Sequence, residues 1–239
     1  MPTLDRSITT GSDDVEAEPA VSGFEPTFEQ VWLGNSTAEG IFHGSFRFPN
    51  ITVPAASTID VAYITFEAVD DFGGGTEGTV STNIYGVDED NSAAPTTFAQ
   101  WSTDHGLHTT AVVTWDFTKD RSGTVVTTSI VSIIQEIIDR GGWASGNAIQ
   151  VHVDDDGSAT DRYQEVAAVE HPSAAAAILH IEYTEAGGGG YLVHEEDGTS
   201  RFTLEDSSGF LILEETVGAV PSALPNRLKR LLDHPAIRM

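Results

Sequence analysis

The chain has 239 residues, no cysteine, and 37 acidic against 11 basic residues, for a formal net charge of -26 at pH 7. The missing thiols exclude a disulfide framework, thiolate metal ligands and a cysteine nucleophile, and the charge repels nucleic-acid phosphates and anionic membranes. With 39% hydrophobic residues the sequence can fill a core, and its length suits one sandwich-sized domain with appendages better than two full domains.

No apolar run approaches the roughly 18 residues of a membrane-spanning helix. The opening MPTLDRSITTGSDDVEAEPA has neither the basic start nor the apolar stretch of a signal peptide. Only two basic residues are lysine, Lys119 and Lys229. An acidic, lysine-poor chain rich in Ala, Thr, Gly and Val fits salty surroundings, where screening relieves self-repulsion; ordinary acidic solubility is the alternative.

In chain order, residues 1–26 are polar, acidic and interrupted by Pro19 and Pro26, the pattern of an extended arm. Short β-rich runs follow: Gln30–Leu33, Ile41–Phe48, Ile51–Val53, and Ile59–Ala68, which partly alternates as a half-buried strand does. A Gly73–Gly75 loop leads to Gly78–Val87, an acidic turn at Asp88–Asn91, and a further strand at Thr109–Phe117. Ser129–Arg140 is the helix of this region, with Ile130, Ile133, Ile134, Ile137 and Ile138 in one stripe. The Ser/Thr-rich lead-in offers an N-cap, and Gly141-Gly142 a stop. Strands resume at Ala148–Val153, Gln164–Val169 and Ala177–Tyr183. Many short strands with one inserted helix predict a mainly β fold, a jelly-roll-like β-sandwich over residues 27–186.

Beyond the Gly187–Gly190 linker, the runs starting at Tyr191, Arg201 and Phe210 repeat one pattern at spacings of ten and nine residues. They predict a small β-meander over 187–218, which is too small to stand alone and needs a partner surface. The tail, residues 219–239, sets Leu224, Leu228, Leu231 and Leu232 at helical spacing beside Arg227, Lys229 and Arg230. Such a basic amphipathic helix suits docking on an acidic neighbour, or folding back on its own domain.

Residues from about Val31 to Tyr183 resemble a β-sandwich module of secreted bacterial multidomain proteins and of tailed-virus structural proteins. The resemblance lies in Phe46–Pro54, Ile59–Phe66, Ile84–Asn91, Val113–Trp115, Leu179–Tyr183 and, most specifically, the series Gln135-Glu136-Ile137, Gly142-Trp143, Gly146-Asn147. The repeats are similar to Gly-punctuated Leu-Glu strands at the ends of tailed-phage virion proteins. The two resemblances imply a virion structural protein, either a capsid decoration or a tail or fibre component. Its expected partners are other virion proteins and further copies of itself, in a virus whose host is halophilic or marine.

Candidate chemistry is sparse. His105 and His108 form an H-x-x-H beside Asp104, short of the ligands zinc needs and read as a polar loop. Asp154, Asp156 and Asp161 have the composition of a calcium loop without the EF-hand pattern, so a calcium site outside that motif and a solvated acidic turn are both open. Trp101 in a polar segment is the candidate for stacking on a glycan, which gives a carbohydrate-binding module as the alternative function. No nucleophile elbow, phosphate loop or dinucleotide fingerprint is present, so no catalytic residues are assigned and a non-enzymatic protein is expected.

Overall fold

The structure is a computed structural model that describes residues 1–70, 75–118, 121–186, 192–195, 201–206 and 209–214. The chain divides into two units, Met1–Ala186 and Gly187–Met239.

In the first unit the strands are β1 (Thr3–Ser7), β2 (Asp14–Glu18), β3 (Gly23–Glu25), β4 (Gln30–Ser36), β5 (Gly40–Ile51), β6 (Thr58–Val69) and β7 (Thr79–Val87). Helix α1 (Phe98–His105) follows, then β8 (His108–Thr118), β9 (Gly123–Val126), helix α2 (Val131–Ile138), β10 (Asn147–Asp155), β11 (Arg162–Ala167) and β12 (Ile178–Thr184). All form one antiparallel sheet of 12 strands, with the main path β1-β12-β6-β11-β4-β5-β10-β7-β8. The sheet curls on itself, as expected of a jelly-roll-like sandwich. The bend falls where β4 meets β5 over only a few residues, Gly34–Ser36 against Gly40–Phe42. There β2 takes the place of β4 along β5, pairing Asp14–Ala17 with His43–Phe46.

The core lies inside the curl. Phe46 and Phe48 of β5, Ile149, Val151 and Val153 of β10, Ile64 and Phe66 of β6, and Leu179 and Ile181 of β12 are buried together. Helix α2 closes it with Ile133, Ile134, Ile137 and Ile138. Its first turn differs from expectation: Ile130 stands at the N-cap position with no side-chain cap. Thr127 instead accepts from the Ile64 N–H with its Oγ1 at 2.9 Å, so the lead-in hydroxyl serves the sheet.

The series Gln135…Trp143…Asn147 fastens this helix and its exit loop. Gln135 Oε1 accepts from Ile59 N at 2.7 Å, and its Nε2 donates to Ser57 O at 3.0 Å. Glu136 accepts from Thr110 N and Ala111 N at 2.6 and 2.8 Å. Trp143 Nε1 donates to Val53 O at 3.0 Å, and Asn147 Nδ2 to Asp90 O at 2.9 Å. Each residue satisfies backbone groups that the ladder leaves over.

Two expectations are corrected. Residues 1–26 are not an arm outside the sandwich: β1 pairs with β12 and β2 with β3 and β5. The region of Trp101 and His105 is helix α1, not a polar loop, and His108 opens β8. Thr97 caps α1, its Oγ1 accepting from Gln100 N.

In the second unit, β13 (Leu192–Glu195), β14 (Arg201–Asp206) and β15 (Gly209–Glu214) form a three-stranded antiparallel sheet in the order β13-β14-β15. The expected tail helix with Leu224, Arg227, Leu228, Lys229, Arg230, Leu231 and Leu232 lies outside the described residues.

Candidate functional site

The sheet alternation that builds the core also creates its opposite. On β5 the positions between core residues are His43, Ser45 and Arg47; on β10 they are Gln150, His152 and Asp154; on β7 Tyr85 lies opposite His152. Such a face is ordinarily solvated. Here α1 covers it: Trp101 packs with Val15 and Ala17, which β2 adds to the same face beside β5, backed by Phe24 and Phe98. Gln150 and His152 are therefore wholly buried and Asp154 almost so.

Asp154 is the centre of this layer. His105 Nε2 touches its Oδ2, and Tyr85 Oη donates to the same oxygen at 2.5 Å. His43 Nδ1 lies 2.8 Å from its Oδ1, yet the two are not aligned as a hydrogen bond, and both atoms are buried without another partner. His43 Nδ1, His105 Nε2 and the Asp154 carboxylate all lie within 4.8 Å of one another. Two ligand-type nitrogens and an oxygen thus converge from β5, α1 and β10.

The surrounding rings fix these groups. Trp101, one helical turn before His105, stacks on it at 4.6 Å and 27°. His108 stacks on Tyr85 at 4.3 Å and stands edge-on to His105 at 5.0 Å. His152 sits 5.3 Å from the His105 ring, and both its ring nitrogens are buried without a hydrogen-bond partner.

The electrostatics follow. Burial pushes the Asp154 carboxyl up, but His105 and His43 beside it prevail and hold it below the usual carboxylate range. Burial holds His152 down to about 3, so it is a neutral ring. Burial, then the Asp154 charge, pushes the Tyr85 phenol up, keeping it a hydrogen-bond donor. The layer is a buried anion ringed by imidazoles, of which His43 and His105 are partly exposed, at 14% and 26% of their side chains.

The expected site residues fall in several places. Asp154 is in this layer, but Asp156 and Asp161 are not among the converging donors. The Asp156 N–H donates to Ser81 O at 2.8 Å, and Asp161 Oδ1 accepts from Thr37 N at 2.8 Å. Asp155, between Asp154 and Asp156 in sequence, accepts from Gly157 N and Ser158 N. Trp101, at 2% exposure, is a buried packing residue and offers no face to a glycan. His43 carried no signal of its own, because only the fold brings it to Asp154 across 111 positions of sequence (154 − 43). The readable hint was the polar alternation of β10, Gln150-Val-His-Val-Asp154, in a strand too apolar to be an open surface.

Comparison with protein-family models gives no match to this sequence, and comparison with curated proteins gives none.

Proposed function

We propose that the chain is a non-enzymatic structural protein of a tailed virus particle, a capsid decoration or a tail or fibre component, that assembles through its C-terminal strand repeats. One observation carries this reading. The register of β13–β15 sets Leu192, Leu204 and Leu211 in one row, and His194, Phe202 and Leu213 in the next row of the same face. The other face takes the row Val193, Thr203 and Ile212 and the row Glu195, Arg201 and Glu214, with Glu205 opposite Phe210.

Three strands of four to six residues need a second layer to be stable. A twofold-related copy supplies a layer of the same chemistry, and closed twofold pairing is the commonest way identical chains associate. The tail's Arg227, Lys229 and Arg230 add charge complementarity toward the acidic surface of a neighbour. A structural role also agrees with the resemblance of the sandwich and the repeats to virion proteins.

The test has two parts. Mass photometry of the full chain in high salt is expected to show a defined oligomer that Leu204→Glu converts to monomer while circular dichroism of the sandwich is kept. Mass spectrometry of purified particles is expected to find the chain in stoichiometric amounts, hundreds of copies for a decoration or tail-tube role and a handful for a tail tip or fibre. A full-length monomer, or particles without the chain, overturns the proposal.

A further inference from the structure

We propose that His43, His105 and Asp154 form a binding site for a zinc-class divalent cation on the covered outer face of the sheet. The inference is independent of the assembly reading and rests on three observations.

The first is the donor set. A zinc-type ion takes imidazole nitrogen at about 2.0–2.1 Å and carboxylate oxygen at about 2.0–2.2 Å, so the donors on one ion lie close together. The three here are within 4.8 Å and come from three elements, β5, α1 and β10, that secondary structure holds in place. Two nitrogens to one carboxylate select a transition ion over calcium, which prefers six to eight oxygens.

The second is the unmet bonding. In an ordinary His–Asp pair the ring N–H points at the carboxylate. Here His43 Nδ1 and Asp154 Oδ1 are 2.8 Å apart, buried, misaligned and otherwise unpartnered. Leaving buried polar atoms unsatisfied is costly. A cation between the two lone pairs satisfies both and needs no N–H alignment. His152, fully buried beside His105 with both nitrogens unpartnered, extends the surplus of nitrogen lone pairs over donors.

The third is the support around the donors. Tyr85 Oη holds Asp154 Oδ2, and the Trp101 ring holds His105 by stacking. Metal ligands are commonly oriented by such outer contacts. The partial exposure of His43 and His105 gives the ion an entry path and a position for water as the fourth ligand. The site ties α1 to strands β5 and β10 of the sheet, so its role is structural.

The decisive experiment titrates chelator-stripped full-length protein with Zn²⁺ by calorimetry, and with Co²⁺ by visible absorption and tryptophan fluorescence. One saturable equivalent of Zn²⁺ is expected, no comparable Ca²⁺ binding, and a change in Trp101 emission on Co²⁺ binding through the stacked His105. His43→Ala and His105→Ala should each weaken Zn²⁺ by more than the roughly 10–100-fold that loss of an outer-shell partner costs. His180→Ala is the control, because His180 meets Asp5 and Glu182 at 2.7 and 3.4 Å on another part of the surface and should leave binding unchanged. His105 ends a helix and is partly exposed, so its variant keeps the fold, as metal-free circular dichroism should show. Absence of a saturable equivalent overturns the proposal. So does affinity that survives both histidine changes, or that falls equally with His180→Ala.

Discussion

Glu16 Oε2 accepts a hydrogen bond from the Trp32 backbone N–H at 2.6 Å. The contact sits where β4 leaves β5 and β2 takes its place. Burial pushes the Glu16 carboxyl up to about 8 from 4.5, with Glu18, Glu39 and Glu25 adding repulsion. Burial likewise moves the neighbouring Asp14 up to about 7 from 3.8. The folded chain therefore binds protons that the unfolded chain has released. Their contribution to stability is complete below the unfolded values and is lost as pH rises through the folded ones. Buried His152 acts in the opposite sense, but only between about 3 and its ordinary 6.5. From pH 6.5 to 8, unfolding free energy should thus fall by about 1–2 kcal/mol. Glu16→Gln keeps the acceptor for Trp32 and should flatten that slope in urea titrations; an unchanged slope assigns the effect elsewhere.

Gly34 makes the same bend from the other side. Its φ is +122°, and a Cβ there would stand 2.3 Å from Arg162 O and 2.9 Å from Tyr163 Cα. Both obstacles are backbone of the paired strand β11, which cannot step aside. Gly34→Ala should cost about 3 kcal/mol from strain and overlap combined, or roughly 6–12 °C in melting temperature. Differential scanning calorimetry checks it, with Gly40→Ala as a comparison: φ is also positive there but the space is open, so the loss should be smaller.

Trp143 is buried, and its Nε1 donates to Val53 O. Trp143→Phe removes the donor, strands a buried carbonyl and leaves space where the larger ring was. A loss of about 2–4 kcal/mol is expected from the urea midpoint, with the fold kept in circular dichroism. A loss under 1 kcal/mol would mean that water replaces the bond.

The strands were readable because alternation and turn residues act locally. Ile59–Ala68 and Thr109–Phe117 became β6 and β8 with boundaries shifted by a residue or two. The stripe of isoleucines fixed α2 for the same reason. What escaped depends on pairing across distance. Residues 14–18 read as acidic and open, yet Asp14 and Glu16 are buried because β5 needs a partner after β4 departs. Helix α1, with Gln, Ser, Thr and Asp among its eight residues, has little periodic signal; its packing on Val15 and Ala17 makes it a helix. The candidate site is the extreme case. Its acid was singled out, but with loop aspartates as company. Its true neighbours, His43 and His105, come from elements that only the curl of the sheet brings together.

The charge makes a last prediction. At -26 the folded surface repels itself, and raising salt from about 0.1 to 1 M shortens the screening length from about 10 to 3 Å. Salt also weakens ion pairs such as Arg121 with Asp70 and Glu77, and Arg140 with Asp88 and Asp90. Those pairs are exposed or half-buried and each contributes little, while the excess of 26 negative charges (37 − 11) has no cation to meet. Repulsion relieved should exceed attraction lost. The melting temperature should therefore rise by several degrees between 0.1 and 1 M KCl, at constant pH and with chelator present to keep metal binding out of the comparison. Screening saturates, so the rise should level off once the screening length falls below the spacing of surface carboxylates. A melting temperature that falls with KCl would mean that the ion pairs dominate and that the acidic composition reflects solubility rather than adaptation to salt.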